Sequence, residues 1–222
     1  QLYTQAKIDA RYTGEQEAMH LLISDSVRFA LVSRVMNQEE KNYFQKLKII
    51  PKELPVAYDA IAIVANPRRE NIKLTTGQLK QIMTGEVKDW SQINAGYRKG
   101  RIKIVFDSEN SGIMRWLSTN IGSPKLGSDG YRIPQIDEQL DYIRSNPDAI
   151  AFVSAAWISD RDDSTQVRFL KDLSIAEISS SSDTDSVHEY YAPYQAYIAN
   201  KSYPLIRTWY VVSREARAGL GT

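Results

Sequence analysis

Between Ile102 and Leu117 the chain reads IKIVFDSENSGIMRWL, an apolar strand that passes through a short polar loop straight into a helix start. A strand feeding a helix commits the chain to packing helices on a sheet, because each element has an apolar face that another layer must cover. The same alternation runs through the sequence. Lys7 to Tyr12 reads as a strand with Ile8, Ala10 and Tyr12 on one face, followed by a helix whose start carries a capping-box pattern, Thr13 with Gln16. Ala18, Leu21 and Leu22 form that helix's apolar stripe, and Arg28 to Ser33 reads as the next short strand. Asn37 with Glu40 opens a second helix with the same box.

Asp59 to Asn66 (DAIAIVAN) is apolar almost without interruption, the mark of a strand covered on both faces in a parallel or mixed sheet. Thr75 with Gln78 begins a helix whose stripe is Leu79, Ile82 and Met83, and Gly85 can end it in the left-handed conformation. After the strand Ile102 to Phe106, the spacing predicts a helix to about Asn120, a loose connection from Gly122 to Gly130, and a helix from Glu138 to Ser145 that stops before Pro147. Ala149 to Val153 and Trp209 to Val212 read as strands, and Ser179 to Ser186 (SSSSDTDS) as a solvated loop or linker. The fold class is α/β, with helices on both faces of a sheet.

The loop before Gly112 also predicts chemistry. The first turn of a helix leaves N–H groups unpaired and carries about half a positive charge, so an oxyanion fits there without a metal. Ser108, Asn110 and Ser111 can each cap the helix, Gly112 allows close backbone approach, and Arg115 follows one turn in. Ser and Asn are also common caps in proteins that bind nothing, so an ordinary capped helix explains the loop as well. Thr13, the segment Ser33 to Asn37, and Ser111 all mark helix starts, which gather at the carboxyl ends of strands in folds of this class.

Other chemistries lose their signatures. The chain has 222 residues, 42% of them hydrophobic, enough for one large domain or two small lobes. With 28 basic and 27 acidic side chains the net charge is +1, which gives no footprint for nucleic acid. There is no cysteine, and His20 and His188 are the only histidines, so thiolate and multi-histidine metal sites are excluded. No Gly-x-Ser-x-Gly elbow, GxxxxGK[ST] loop or GxGxxG motif is present, which argues against hydrolases, nucleotide enzymes and dinucleotide enzymes. Asp160 to Asp163 (DRDD) lacks the spacing of a calcium loop and reads as solvated. Tyr190, Tyr191, Tyr194 and Tyr197 suit either sugar stacking or half-buried strand and loop positions. No cofactor is expected.

Three segments carry a resemblance: YDAIAIVANP, LTTGQLKQIMTGEVKDWSQI and IKIVFDSENSGIMRWL resemble the PstS family, the phosphate-binding proteins of phosphate ABC importers. DAIAFVSAAWISDRDD and YPLIRTWYVVSREARAGLGT are similar to the form found as exported lipoproteins in Bacteroidetes-type bacteria. The resemblance runs from about Ala6 to Thr222 and implies a type II periplasmic-binding-protein fold, two α/β lobes with the anion in the cleft between them. It implies a first lobe of residues 1–61 and 196–222, incomplete at both ends, and a second of 62–195. It implies inorganic phosphate and a membrane permease as partners, an exported location with a lipid anchor, and no catalysis.

Carried over by the resemblance, Thr13 and Gly14 match one ligand-holding helix start, Ser33 and Arg34 a Ser-Arg pair, and Ser111 to Ile113 a Ser-Gly-Thr element, with Asn110 and Arg115 beside it. Ile113 stands where relatives usually carry Thr, which removes a hydroxyl donor and leaves the backbone N–H. Arg34 and Arg115 would supply counter-charge, although each also suits an ordinary surface role. Asp107 is a candidate acceptor for a protonated oxyanion. The alternative is an adhesion or signalling module that keeps the fold without the anion site.

Overall fold

The computed structural model describes residues 8–125, 129–159, 173–181 and 189–215. In chain order the strands are β1 (Phe29–Val32), β2 (Lys52–Ala65), β3 (Lys73–Thr75), β4 (Lys103–Phe106), β5 (Gly130–Arg132), β6 (Ala149–Ser154), β7 (Ser174–Ile175), β8 (Glu177–Ser179) and β9 (Ile206–Ser213). The helices are α1 (Glu15–Ile23), α2 (Gln38–Lys46), α3 (Thr76–Thr84), α4 (Trp90–Ile93), α5 (Gly112–Asn120), α6 (Ile136–Ser145), α7 (Ala156–Ser159) and α8 (Gln195–Ala199). Seven strands form one sheet in the order β1-β9-β2-β6-β4-β5, with β7 also on β2, and β3 pairs separately with β8.

The long strand β2 organises this sheet. Its first part pairs antiparallel with β9 as far as Ala60, and from Ile61 onward it pairs antiparallel with β6. Burial changes at the same place: residues before Asp59 are largely exposed, and those from Asp59 to Ala65 are buried. The second half therefore behaves as its apolar sequence predicts, covered on both faces. β6, β4 and β5 run parallel to one another and antiparallel to β2, which makes this part of the sheet mixed.

Two apolar clusters flank the switch. The larger gathers β2, β4 and β6 with Leu79 and Met83 of α3, Trp90, Leu117 and Ile143. The smaller consists of Met19 and Leu22 from α1, Ala30 and Val32 from β1, Met36, Phe44 and Val212. The smaller sheet region covers only one face: Ala30 and Val32 are buried, while Leu31 and, across β9, Leu54 remain exposed.

Most helix punctuation follows the sequence. Asn37 Oδ1 accepts the Glu40 N–H at 2.8 Å while the Glu40 carboxylate accepts the Asn37 N–H at 2.8 Å, closing the box. Thr75 and Gln78 do the same at 3.0 Å each, and Gly85 ends α3 with φ 77°. Four expectations are corrected. Ile8 to Tyr12 form no strand: they find no ladder partner among the described residues, and Ile8 and Tyr12 lie open to solvent. The cap of α1 is Gly14, without a side-chain bond, so the Thr13 box does not form. The buried stripe of α1 is Met19 with Leu22, in place of Ala18 and Leu21, because the helix turns that edge toward Phe44 and Val32. Ser179 is buried at the end of β8, paired to β3, and is not part of a solvated loop. Asp160 to Asp163, His188 and most of the serine run lie outside the described residues.

Candidate functional site

β4 delivers its chain through Asp107 to the loop before α5, and there Ser111 is the cap: its Oγ accepts the Met114 N–H at 3.1 Å. Met114 and Leu117, one turn apart, are fully buried and fix the helix against the sheet, so its first turn is held in place. Ser108 Oγ accepts the Asn110 N–H at 3.3 Å, and Asp107 Oδ1 accepts the Ser108 N–H at 2.7 Å, which tightens the loop.

The start of α5 faces Ser33, which follows β1 and is buried. A Cβ built on Gly112 would lie 2.9 Å from Ser33 Oγ and 3.4 Å from an Arg207 guanidinium nitrogen. Glycine is required there because the hydroxyl of another sheet region comes this close. Residues 33 and 112 thus meet.

Three guanidinium groups surround this junction. Arg34 makes two bonds to the Glu40 carboxylate, at 2.7 and 2.6 Å, the planar fork that arginine forms best. Since Glu40 also closes the α2 box, the capping motif holds Arg34 toward the site. Burial by itself would raise the Glu40 carboxyl, but the bonds from Arg34 and from the Asn37 N–H, with the Arg34 charge, hold it below the usual range. Arg115, on α5, is half-buried, and burial first and the neighbouring Arg207 charge second push its guanidinium below the ordinary range. Arg207 is buried and pairs with its cross-strand neighbour Asp59 at 2.7 and 2.8 Å. Asp59 also accepts from Ser154 Oγ at 3.0 Å.

The carboxylate of Glu15, at the first position of α1, reaches into the same junction. Its Oε1 accepts the Ser33 N–H at 2.5 Å and the Ser33 hydroxyl at 3.1 Å. Its Oε2 forms an ion pair with Arg115 and lies 3.9 Å from Arg34 Nε.

Beside the junction a cleft of about 640 Å³ is lined by Gly14, Asp107, Asn110, Ser111 and Arg132. Gly14 and the α5 loop therefore share one opening, while Thr13 is exposed and does not line it. Ile113 is half-buried against the larger core and faces a separate cavity of about 360 Å³ with Trp157 and Trp209. Of the candidates, Ser33, Arg34, Gly112 and Arg115 come together, Gly14, Asn110 and Ser111 border them, and Thr13 and the Ile113 side chain stand apart. His20 is exposed, and among the described residues no group of three or more metal-ligating side chains occurs.

Sequence reasoning missed Glu15, Asp59 and Arg207. An acid in a first helical turn is favoured by the helix dipole in any protein, so Glu15 carried no signal. Asp59 and Arg207 are far apart in sequence and become neighbours only through the β2-β9 register.

The model of the PBP superfamily domain matches residues 1–222. The phosphate-binding protein PstS of Staphylococcus aureus strain USA300 is 29% identical over 120 residues, which cover 54% of this chain and 37% of that protein. The chain thus aligns with well under half the length of such relatives. A phosphate ABC transporter substrate-binding protein from Clostridium perfringens, solved with bound phosphate, superposes with TM-score 0.70 at 21% identity, covering 94% of this chain and 74% of that one. An ABC-type phosphate transport receptor from Vibrio cholerae gives TM-score 0.70 at 18% identity, covering 98% and 79%. These structures share the two-lobed α/β fold with a cleft between the lobes.

Proposed function

The chain belongs to the PBP superfamily, and on that premise we propose that it captures inorganic phosphate and delivers it to the membrane permease of an ABC importer. The observation that carries this reading is the meeting of the α5 start with Ser33, where a glycine and a hydroxyl from two sheet regions come within contact of each other beside three arginines.

Phosphate in this site receives N–H donors from the first turn of α5, including that of Ile113, and hydroxyls from Ser111 and Ser33. Gly14, the cap of α1, borders it, as does Asn110 from the loop. Arg34 and Arg115 supply counter-charge, in bonds that are shorter and stronger because the donors are ionised. No bond is made or broken, so the protein is a binding protein and not an enzyme. The lobes divide at about residues 61 and 196, a reading supported by the change of β2 from β9 to β6 at Ala60 and Ile61. Delivery to a permease takes place outside the cytoplasmic membrane, so export, with a lipid anchor to keep the carrier near its permease, belongs to the same proposal.

Isothermal titration with phosphate, sulfate and a neutral sugar tests it. Phosphate binding tighter than about 1 mM is expected, with none for the sugar, and Arg34→Ala with Ser111→Ala should weaken it at least tenfold, about 1.4 kcal/mol. Absence of phosphate binding in the unaltered protein would overturn the reading.

A further inference from the structure

We propose that Glu15 is an internal stand-in for the ligand: in the unliganded protein its carboxylate occupies the oxyanion position, and an incoming anion binds by displacing it. The argument starts from where the side chain goes. An acid at the first position of a helix ordinarily favours its own unpaired N–H groups, yet α1 has no side-chain cap bond at its start. Glu15 instead crosses to β1 and α5, accepting the Ser33 N–H and hydroxyl and pairing with Arg115.

A backbone N–H and a serine hydroxyl donate to Oε1 and a guanidinium faces Oε2 as an ion-pair partner, the set of groups that would hold a tetrahedral oxyanion. A carboxylate presents two oxygens on one atom, as one edge of a phosphate does, so the same fork reads both. Only 8% of the Glu15 side chain is exposed, and Oε2 lies 3.7 Å from the Cβ that Gly112 lacks. The carboxylate therefore fills the point where Ser33, Arg115 and the α5 start converge.

Charge balance follows from this placement. Glu40 neutralises Arg34, Asp59 neutralises Arg207, and Glu15 neutralises Arg115. A half-buried Arg115 without a partner would be costly, and Glu15 removes that cost while the site is empty. Binding then requires the Glu15 side chain to leave, so the observed affinity is the intrinsic one reduced by the fraction of molecules in which it has left. Glu15 also sets a threshold: an anion that cannot replace all of its contacts does not displace it.

Phosphate as the displacing anion rests on the function proposed above, so the test has one arm that does not use phosphate. Glu15→Ala opens room for a small carboxylate. Its melting temperature should rise in sodium formate relative to sodium chloride at equal ionic strength, while the unaltered protein responds equally to both salts. In titrations with inorganic phosphate, Glu15→Ala should bind about tenfold tighter or better, with Glu15→Gln also tighter than the unaltered protein. Where the unaltered protein binds phosphate, binding unchanged or weakened in both variants overturns the proposal, since Glu15 would then be a partner of the ligand or a bystander. Formate acting equally on both proteins also overturns it. Formate rescue of Glu15→Ala alone, with no phosphate binding by any form, supports the internal carboxylate and sinks the phosphate reading. If Glu15→Ala does not fold, Glu15→Gln decides through its phosphate affinity.

Discussion

The starts of α1 and α5 are nearly the same in sequence, Thr13-Gly14 and Ser111-Gly112, and differ by one residue in how they are used. At α5 the hydroxyl residue is the cap and the glycine is the first helical residue. At α1 the glycine is the cap and Thr13 lies outside, exposed and without a capping bond. The difference is set by surroundings. Gly112 is pressed by Ser33 Oγ and Arg207, whereas a Cβ on Gly14 would meet nothing within 4 Å. A hydroxyl–glycine pair before a helix is therefore only an offer of a site. Packing against the rest of the molecule decides whether the offer is taken up, and in which register.

Substitutions at matched positions sharpen the contrast. Gly112→Ala should give the largest effect: the new methyl overlaps Ser33 Oγ, costing about 1–3 kcal/mol, and phosphate titration should show a matching loss. Gly14→Ala, with open space around it, should cost under about 1 kcal/mol, both variants being read by urea melts. Equal losses at both glycines would break the comparison.

A third start, α2, has its box fully closed and uses Glu40 to anchor Arg34. Glu40→Gln should destabilise by about 1.5 kcal/mol at neutral pH. Because the folded Glu40 carboxyl lies below the ordinary value of 4.5, its contribution is complete above that pH and disappears as pH falls through the lowered folded value. The gap between Glu40→Gln and the unaltered protein should therefore close in acid, read by denaturant melts from pH 7 down to about pH 3. A gap that does not change with pH would detach Glu40 from Arg34.

The smallest effects separate the two hydroxyls. Ser111→Ala removes a cap bond and should cost about 1 kcal/mol, while Thr13→Ala should stay within about 0.5 kcal/mol. Chemical denaturation of both variants checks the pair, and a Thr13→Ala loss as large as that of Ser111→Ala would mean that α1 begins one residue earlier than described.

Legibility followed the range of the forces. The continuous apolar run at Ile61 to Ala65 could be read because a strand buried on both faces needs apolar side chains at every position. The boxes at Asn37 and Thr75 and the left-handed Gly85 could be read because their partners lie within four residues. The strand expected before Tyr12 failed because an alternating pattern describes a face without supplying a neighbour to bond to. The stripe of α1 was misplaced because Ala18, Met19, Leu21 and Leu22 admit more than one apolar edge, and only Phe44 and Val32 across the interface choose between them.

By itself the sequence determined the layered α/β class and the starts of α2, α3 and α5, all consequences of local backbone geometry and side-chain type. The tertiary structure decided which of those starts meet. It joined Ser33 to Gly112 and Asp59 to Arg207, and placed the Glu15 carboxylate against Arg115, contacts between residues distant in the chain. The reason is physical: a cap or a turn is fixed by bonds within a few residues, whereas the position of a charge in a cleft depends on strand register and packing across the whole sheet.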